Sequence, residues 1–419
     1  MTDVAIVGAG YVGLPLGRTF AEAGVTVVLV EVDEERVAQA NRGESYINDV
    51  PSEALVPLVE SGRLSATTDY DALEDADAIL IALPTPLSAQ REPDLSIVED
   101  AVREIAKRLK AGRLVVLEST TYPGTTRERV LPLLEQGSGL KAGTDFNLAF
   151  SPERVDPGRE DYTTKSTPKV VGGITAACTE RAAALYKRAV DGVVEVSSPE
   201  AAELTKLLEN IFRSVNIALV NELAQLCDRM GLDIWEVIEA AETKPFGFMP
   251  FKPGPGLGGH CIPIDPFYLT WKAREFNFTT EFIELAGKVN EGMPYWCMSK
   301  IARALNSHER SVKGSKVLVL GVAYKADIAD VRESPALKLI ELLAGEGADV
   351  SYHDAFVSEL PEHGLRSVPL EPAKADCVAV VTAHSGIDYE RIVEEAKLVV
   401  DFRNATGRNG TLNGKVWKL

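Results

Sequence analysis

Cysteine is scarce and scattered: five residues, at positions 178, 227, 261, 297 and 377, with no CxxC pair among them. An odd count without pairing argues against a disulfide framework. Histidine is as sparse, five in 419 residues and unclustered, so no metal site is expected. No apolar run approaches the roughly 20 residues of a membrane span. The chain opens directly on a strand pattern without signal-peptide features, so a cytoplasmic location and no membrane partner are expected. Cations are short too: 44 Lys and Arg against 62 Asp and Glu give a formal charge of −18. That balance argues against nucleic acid, which is bound by displacing counterions from phosphates. It leaves room for an anionic small molecule, which a few placed cations can hold, and it favours solubility.

What is present is an ordinary globular composition, 45% hydrophobic and 25% charged, in a chain too long for one core. The stretch Gly254-Pro-Gly-Leu-Gly-Gly-His-Cys-Ile-Pro-Ile-Asp-Pro266 stands out. Its glycines at 254, 256, 258 and 259 let a backbone lie close to something large. Cys261 follows at once and Asp265 four residues later. A helix starting near Pro263 would place Cys261 at its N-terminal end, where the dipole favours a thiolate. The plainer alternative is a surface loop with an incidental cysteine.

At the start of the chain, an apolar strand from Asp3 runs into Gly8-x-Gly10-x-x-Gly13, a helical pattern through Ala23, and a second strand, Val25 to Val30, closing on Glu31. Strand, glycine turn, helix and an acidic residue about 20 positions on form a dinucleotide-binding pattern. The glycines admit a pyrophosphate to the helix N-terminus. Glu31 would accept the adenosine ribose hydroxyls and repel a 2′-phosphate, so NAD is expected over NADP. Strands are predicted at Ala78–Leu83, Leu114–Leu117, Asn147–Phe150 and Lys169–Val171, with polar ends reading Pro84-Thr-Pro86, Glu118-Ser-Thr120 and Ser151-Pro-Glu-Arg154. For Thr85 and Thr120 a turn or cap role stands beside a ligand contact.

From Pro199 a long helix is predicted through Met230, stopped by Gly231, with Leu204, Leu207, Leu208, Ile211, Val215 and Leu219 as an apolar stripe. Lys206 and Asn210, four apart, share a neighbouring face, which is otherwise a solvated one. A second helical region covers about Thr280 to Asn306, and Ser307 to Gly314 reads as a linker. A new β/α series follows, with strands at Lys316–Gly321, Ala348–Tyr352, Cys377–Val381 and Leu398–Asp401. Its first turn, Gly321-Val-Ala-Tyr-Lys325, lacks the glycine pattern, so a second dinucleotide is not expected. Tyr324, Lys325 and Arg403 suit a base and phosphates instead. The expected fold is α/β: two doubly wound Rossmann-like domains, 1–197 and 315–419, joined by a long-helix central domain, 198–306.

Together, GAGYVG (8–13), EST (118–120), SPER (151–154), KLLEN (206–210), PGPGLGGHC (253–261) and YKADIADVRES (324–334) resemble the UDP-glucose/GDP-mannose dehydrogenase family along nearly the whole chain. Thr243-Lys-Pro-Phe-Gly-Phe248, GGHCIPIDP and SPERVDPG are more similar to its UDP-N-acetylglucosamine 6-dehydrogenase branch. The resemblance implies an NAD domain, a helical homodimer-forming middle and a UDP-binding C-terminal domain. It makes Cys261 the nucleophile, with Lys206, Asn210 and Asp265 around the reacting carbon and Glu153 and Thr120 near the water and oxyanion. It assigns NAD contacts to Gly8, Gly10, Tyr11, Val12, Gly13, Glu31, Arg36, Thr85, Thr120 and Arg332. UDP-sugar contacts fall to Glu153, Arg154, Lys206, Asn210, Lys252, Gly254, Gly258, Tyr324, Lys325 and Arg403. One departure is Pro157, where the UDP-glucose branch carries a second glutamate. The activity implied is four-electron oxidation of a sugar C6 hydroxyl through a thiohemiacetal and a thioester on Cys261. UDP-N-acetylglucosamine, its manno epimer and UDP-glucose are the candidate substrates. A two-electron 3-hydroxyacid-type dehydrogenase needs neither the cysteine nor a second α/β domain. A silent NAD-binding regulator needs none of Cys261, Lys206 and Asp265.

Overall fold

The computed structural model describes residues 2–47, 50–88, 92–155, 162–259, 262, 264–407 and 414–419. The chain divides into two compact units, Met1–Glu209 with Phe267–Phe278, and Asn210–Pro266 with Thr279–Leu419.

The first unit holds an eight-stranded sheet. Its strands are β1 (Thr2–Val7), β2 (Val27–Val30), β3 (Leu64–Thr67), β4 (Ala76–Ile81), β5 (Leu114–Leu117), β6 (Asn147–Phe150), β7 (Lys169–Gly173) and β8 (Val193–Glu195). Their order is β3-β2-β1-β4-β5-β6-β7-β8. The first six strands in that order are mutually parallel. Strands such as Val-Val-Leu-Val and Leu-Val-Val-Leu are apolar throughout because a parallel sheet is covered on both faces. Alternation along β1 shows this: Val4 and Ile6 join a core with Leu14, Leu16 and Phe20 of the helix Gly13–Glu22. Ala5 and Val7 join the opposite core with Val98, Val102 and Ile105 of the helix Ser96–Arg108. Each fully buried Val, Leu or Ile there contributes about 1.5–3 kcal/mol.

The second unit has a five-stranded parallel sheet, ordered β10-β9-β13-β14-β15. Its strands are β9 (Lys316–Leu320), β10 (Asp349–His353), β13 (Cys377–Val380), β14 (Val399–Asp401) and β15 (Val416–Lys418), with a small hairpin of β11 (Glu359–Leu360) and β12 (Leu365–Arg366). Val317 and Val319 face a core with Leu339, Ile340 and Leu343, while Leu318 and Leu320 face Ile392 and Ala396.

The predicted strands and long helices lie within two residues of the observed ones, with three corrections. First, β7 runs antiparallel to β6, so the sheet is mixed at that edge, and β3, β8 and β15 extend the sheets beyond the strands expected. Second, the helix after the glycine-rich stretch begins at Asp265, two residues past the start expected near Pro263. Third, the long helix Pro199–Met230 does not carry one apolar stripe. Leu207 and Ile211 are buried, whereas Leu204, Leu208 and Leu219 lie on an exposed face continued by Leu223, Leu226 and Met230. Gly231 ends that helix at φ 71°, a left-handed turn that glycine takes without strain.

Candidate active site

In the first unit the three glycines of the opening turn have three different reasons. Gly8 sits at φ 97°, and a Cβ there would come within 2.5 Å of the Ala82 carbonyl oxygen. A Cβ on Gly13 would overlap the Gly8 carbonyl, so the helix can begin this close to the strand only without a side chain. A Cβ on Gly10 would meet nothing within 4 Å, which leaves an open approach to the helix N-terminus where a pyrophosphate is held. Glu31 follows β2 and is 9% exposed. One of its oxygens accepts the Ala9 amide at 3.0 Å, and the other accepts Val32 and Asp33 amides at 2.9 and 3.2 Å. Arg36 lies 3.9 Å from Glu31 and its guanidinium stands over the Tyr46 ring. Tyr46 donates to the Ala9 carbonyl at 2.8 Å. Burial, with Glu31 nearby, pushes the Tyr46 phenol up to about 12, which keeps it a donor. Sequence reasoning missed Tyr46, since nothing local marks a tyrosine 15 residues beyond the acidic one. Val12 precedes the helix and Tyr11 is half exposed. The residues present therefore fit a dinucleotide.

At the strand ends, the Thr85 hydroxyl donates to the Thr120 carbonyl at 2.7 Å, and Tyr268 donates to the Thr85 carbonyl. The Thr85 side chain thus fixes a turn, and Thr120 is half-buried beside it. Glu153, its side chain 15% exposed, accepts the Arg154 and Val155 amides, both at 2.7 Å, and faces Lys169 at 3.5 Å. Burial alone would raise its carboxyl. Lys169, the two amides and Lys206 outweigh that and hold it below the usual carboxylate range. Arg154 is engaged by Glu209 at 2.6 Å and by the Pro168 carbonyl at 2.7 Å. Lys206 is 7% exposed, so it does not lie on a solvated helix face. Glu118, read from sequence only as a polar strand end, forms a buried polar cluster under Glu153 with Lys169 and Tyr186, neither of which was singled out from sequence. A lysine opening a buried strand was the available signal.

In the second unit the long helix continues through Asn210, 9% exposed, whose amide donates to Asp265 at 2.5 Å. Asp265 is buried and begins the helix Asp265–Ala273. Cys261, the expected nucleophile, lies outside the described residues, as does Pro157. The backbone just before the cysteine is held tightly. Gly254 donates its amide to Asn221 at 2.9 Å, Asn221 donates to Asn290 at 2.9 Å, and Asn290 donates to the Ser214 carbonyl at 3.1 Å. A Cβ on Gly254 would overlap the Arg403 guanidinium, and one on Gly258 would lie 2.5 Å from Tyr324 Cβ. Gly259 donates to the Arg332 carbonyl at 3.0 Å. The glycine stretch, Tyr324 and Arg403 are thus brought together. Lys252 is exposed and Lys325 half-buried. The Arg332 guanidinium pairs with Asp330 at 2.6 Å. At the end of β10, Asp354 takes a place like that of Glu31. Its oxygens accept the amides of Val322, Ala323, Phe356 and Val357 and face His384 at 3.0 Å.

A sheet with strand order 3-2-1-4-5-6 at its parallel core, a glycine turn opening on a helix N-terminus and a carboxylate after β2 define a Rossmann-type NAD-binding oxidoreductase. The second unit adds a parallel α/β sheet and brings Tyr324 and Arg403 against the glycine loop. The chain belongs to the UDP-glucose/GDP-mannose dehydrogenase family: its NAD binding domain matches residues 2–190, its central domain 200–292 and its UDP binding domain 318–408. It is similar to the UDP-N-acetyl-D-glucosamine 6-dehydrogenase of Pseudomonas aeruginosa, 36% identical over 91% of this chain and 90% of that protein. It is similar also to the UDP-N-acetyl-D-mannosamine dehydrogenase of Yersinia pestis, 39% identical over 81% of this chain and 82% of that one. The solved UDP-D-ManNAc dehydrogenase of Pyrococcus horikoshii superposes with a TM-score of 0.91 at 33% identity, covering 100% of this chain and 99% of its own. The chain is accordingly an NAD-dependent nucleotide-sugar dehydrogenase. Among the described residues no helix is long and apolar enough to cross a membrane.

Proposed function

We propose that this enzyme oxidises the C6 hydroxyl of a UDP-N-acetylhexosamine to a carboxylate in two hydride transfers, with UDP-N-acetylglucosamine as first choice of substrate. The observation that carries the chemistry is the Asn210–Asp265 hydrogen bond. It sets an amide and a carboxylate at the start of the helix that follows Cys261, one helical turn along from Lys206. NAD, when bound, supplies the hydride acceptor. Asp265 and Lys206, through water, take the hydroxyl proton as the C6 hydride leaves. Lys206 and Asn210 stabilise the developing charge on oxygen. The Cys261 thiolate then adds to the aldehyde carbon, and the thiohemiacetal so formed has a hydride to lose. Its loss, with the hydroxyl proton, leaves a thioester. Water activated by Glu153 adds to the thioester, the C–S bond breaks, and carboxylate and thiol are released. Thr120 lies near the oxyanion in this reading.

Gly8, Gly10, Tyr11, Val12, Gly13, Glu31, Arg36, Thr85, Thr120 and Arg332 are the cofactor contacts proposed. Lys252, Gly254, Gly258, Tyr324, Lys325 and Arg403 hold the nucleotide, and Arg154 serves the sugar side through its grip on Glu209. The division at 1–197, 198–306 and 315–419 is part of the same reading, as are a cytoplasmic location and a homodimer. The exposed apolar face at Leu208, Leu219, Leu226 and Met230 supports the homodimer.

UDP-N-acetylmannosamine is the second reading, favoured by the 39% identity to the Yersinia pestis enzyme and by the Pyrococcus horikoshii structure. NADH production against UDP-N-acetylglucosamine, UDP-N-acetylmannosamine and UDP-glucose separates them. Preference for the gluco epimer by at least about tenfold in kcat/KM is expected. Preference for the manno epimer or UDP-glucose overturns the substrate choice, and no turnover of any of the three overturns the function.

A further inference from the structure

Three ionisable side chains lie inside the first unit with no part in the chemistry above: Lys169 at 2% exposure, Glu118 at 1% and Tyr186 at 0%. Apolar residues of similar volume would fill such a position at less cost in desolvation. Each of the three comes from a different element: Glu118 follows β5, Lys169 opens β7, and Tyr186 ends the helix Ala176–Tyr186. The Lys169 ammonium donates to Glu118 at 2.6 Å and to the Pro152 carbonyl at 3.1 Å, and it faces the second oxygen of Glu153 at 3.5 Å. Tyr186 donates to the other oxygen of Glu118. One lysine therefore grips both the backbone just before Glu153 and the Glu153 carboxylate itself. The first oxygen of Glu153 is held by two main-chain amides.

We infer that Lys169, anchored by Glu118 and Tyr186, is a positioning residue that holds Glu153 ionised and in one orientation for activating the water that hydrolyses the thioester. This rests on the role proposed above for Glu153. Four ionisable groups bear on Glu153. Lys169 and Lys206 favour its charge, Lys169 the more strongly and both against burial, while burial and the Glu153 charge in turn raise the Glu118 carboxyl and the Tyr186 phenol. Burial works against charge on Lys169 too, yet Glu118 and Glu153 together keep it raised, so the ammonium persists in the interior. Removing that ammonium lets burial raise the Glu153 carboxyl. The base form is then lost at a higher pH than in the wild type, and the acid limb of the kcat–pH profile moves upward.

The test uses the full-length enzyme, saturating NAD and the best UDP-sugar of the panel, with Lys169→Met, the double variant Lys169→Met/Glu118→Gln and Lys169→Arg. The double variant removes both buried charges together, so neither is left uncompensated if the single variant folds poorly. In the two methionine variants kcat at neutral pH is expected to fall at least about tenfold, within the span of general-base contributions. The acid limb is expected to rise by about one pH unit. Intact-protein mass spectrometry should show acyl-enzyme accumulating, while the first-turnover NADH burst stays within about threefold of wild type, because both hydride transfers precede hydrolysis. Lys169→Arg keeps the charge and is expected to restore the pH profile. An unmoved profile with no acyl-enzyme, or burst and steady state slowed alike, overturns the positioning role. Glu153→Gln separates the two levels. If it hydrolyses thioester at the wild-type rate, the role of Glu153 fails. If it accumulates acyl-enzyme while the Lys169 variants do not, only the role of Lys169 fails.

Discussion

Replacing Asn221 with alanine removes one side chain that makes two buried hydrogen bonds at once. Asn221 is fully buried, accepts the Gly254 amide and donates to Asn290, each at 2.9 Å. The alanine variant leaves the Gly254 N–H and the Asn290 oxygen without partners, and each orphaned buried group costs about 1–3 kcal/mol. Entry of one water into the vacated space recovers part of that, so a net loss of about 3 kcal/mol is a fair central figure. It falls on the backbone of the glycine stretch, where tenfold in an equilibrium corresponds to about 1.4 kcal/mol. Asn221→Ala should therefore weaken UDP binding by at least about tenfold in a calorimetric titration, leave NAD binding unchanged, and lower the melting temperature. Asn221→Asp should fall between, because it keeps the acceptor for Gly254 but turns an oxygen toward the oxygen of Asn290. Unchanged UDP affinity in the alanine variant would refute the idea that this chain of amides holds the substrate loop.

Two further outcomes follow from the first unit. Glu31→Ala removes a charge that repels a 2′-phosphate and three main-chain hydrogen bonds. The NAD-over-NADP ratio of kcat/KM should shrink at least about tenfold while the KM for NAD rises, and an unchanged ratio removes Glu31 from cofactor choice. Glu203 is buried and accepts the Gly124 amide, the Thr126 amide and the Thr126 hydroxyl at 2.6, 2.9 and 2.7 Å. Burial still pushes its carboxyl from 4.5 up to about 7. A raised carboxyl binds its proton more tightly in the folded state, so its stabilising share is complete below 4.5 and is lost as pH rises through about 7. Relative to Glu203→Gln, the wild type should lose up to about 3 kcal/mol across that window in denaturant titrations. A flat difference between the two proteins contradicts the assignment.

Much of the architecture was legible because its signals are local. Continuous runs such as Leu114-Val-Val-Leu117 bury on both faces of a parallel sheet, and Gly8, Gly10 and Gly13 mark a turn whose geometry admits few other residues. The edge strands β3, β8 and β15 were missed because they are three or four residues long and partly polar, leaving no periodicity to read. The reversal of β7 was hidden for a different reason. Strand direction depends on the path of the connection, and the residues of a single strand carry no record of it. The buried polar contacts were equally out of reach. Lys169 meets Glu118 across 51 positions and Asn221 meets Asn290 across 69. Only the fold brings such residues together, and nothing local in the sequence pairs them. The splitting of the long helix into a buried and an exposed apolar face shows the same limit. Spacing places Leu204, Leu207 and Leu208 near one another, but only packing decides which of them the protein covers.

Cys261 is proposed to carry the second oxidation covalently, and the yield of NADH per sugar tests that role most directly. With limiting UDP-sugar and excess NAD, the wild type is expected to form two NADH per sugar and a uronic acid, with no free aldehyde. Cys261→Ser should bind both ligands yet lose steady-state turnover by several orders of magnitude, since a serine hydroxyl without a dedicated base is a poor nucleophile near neutral pH. A yield of one NADH with an aldehyde product, or a serine variant turning over near the wild-type rate, would contradict the account.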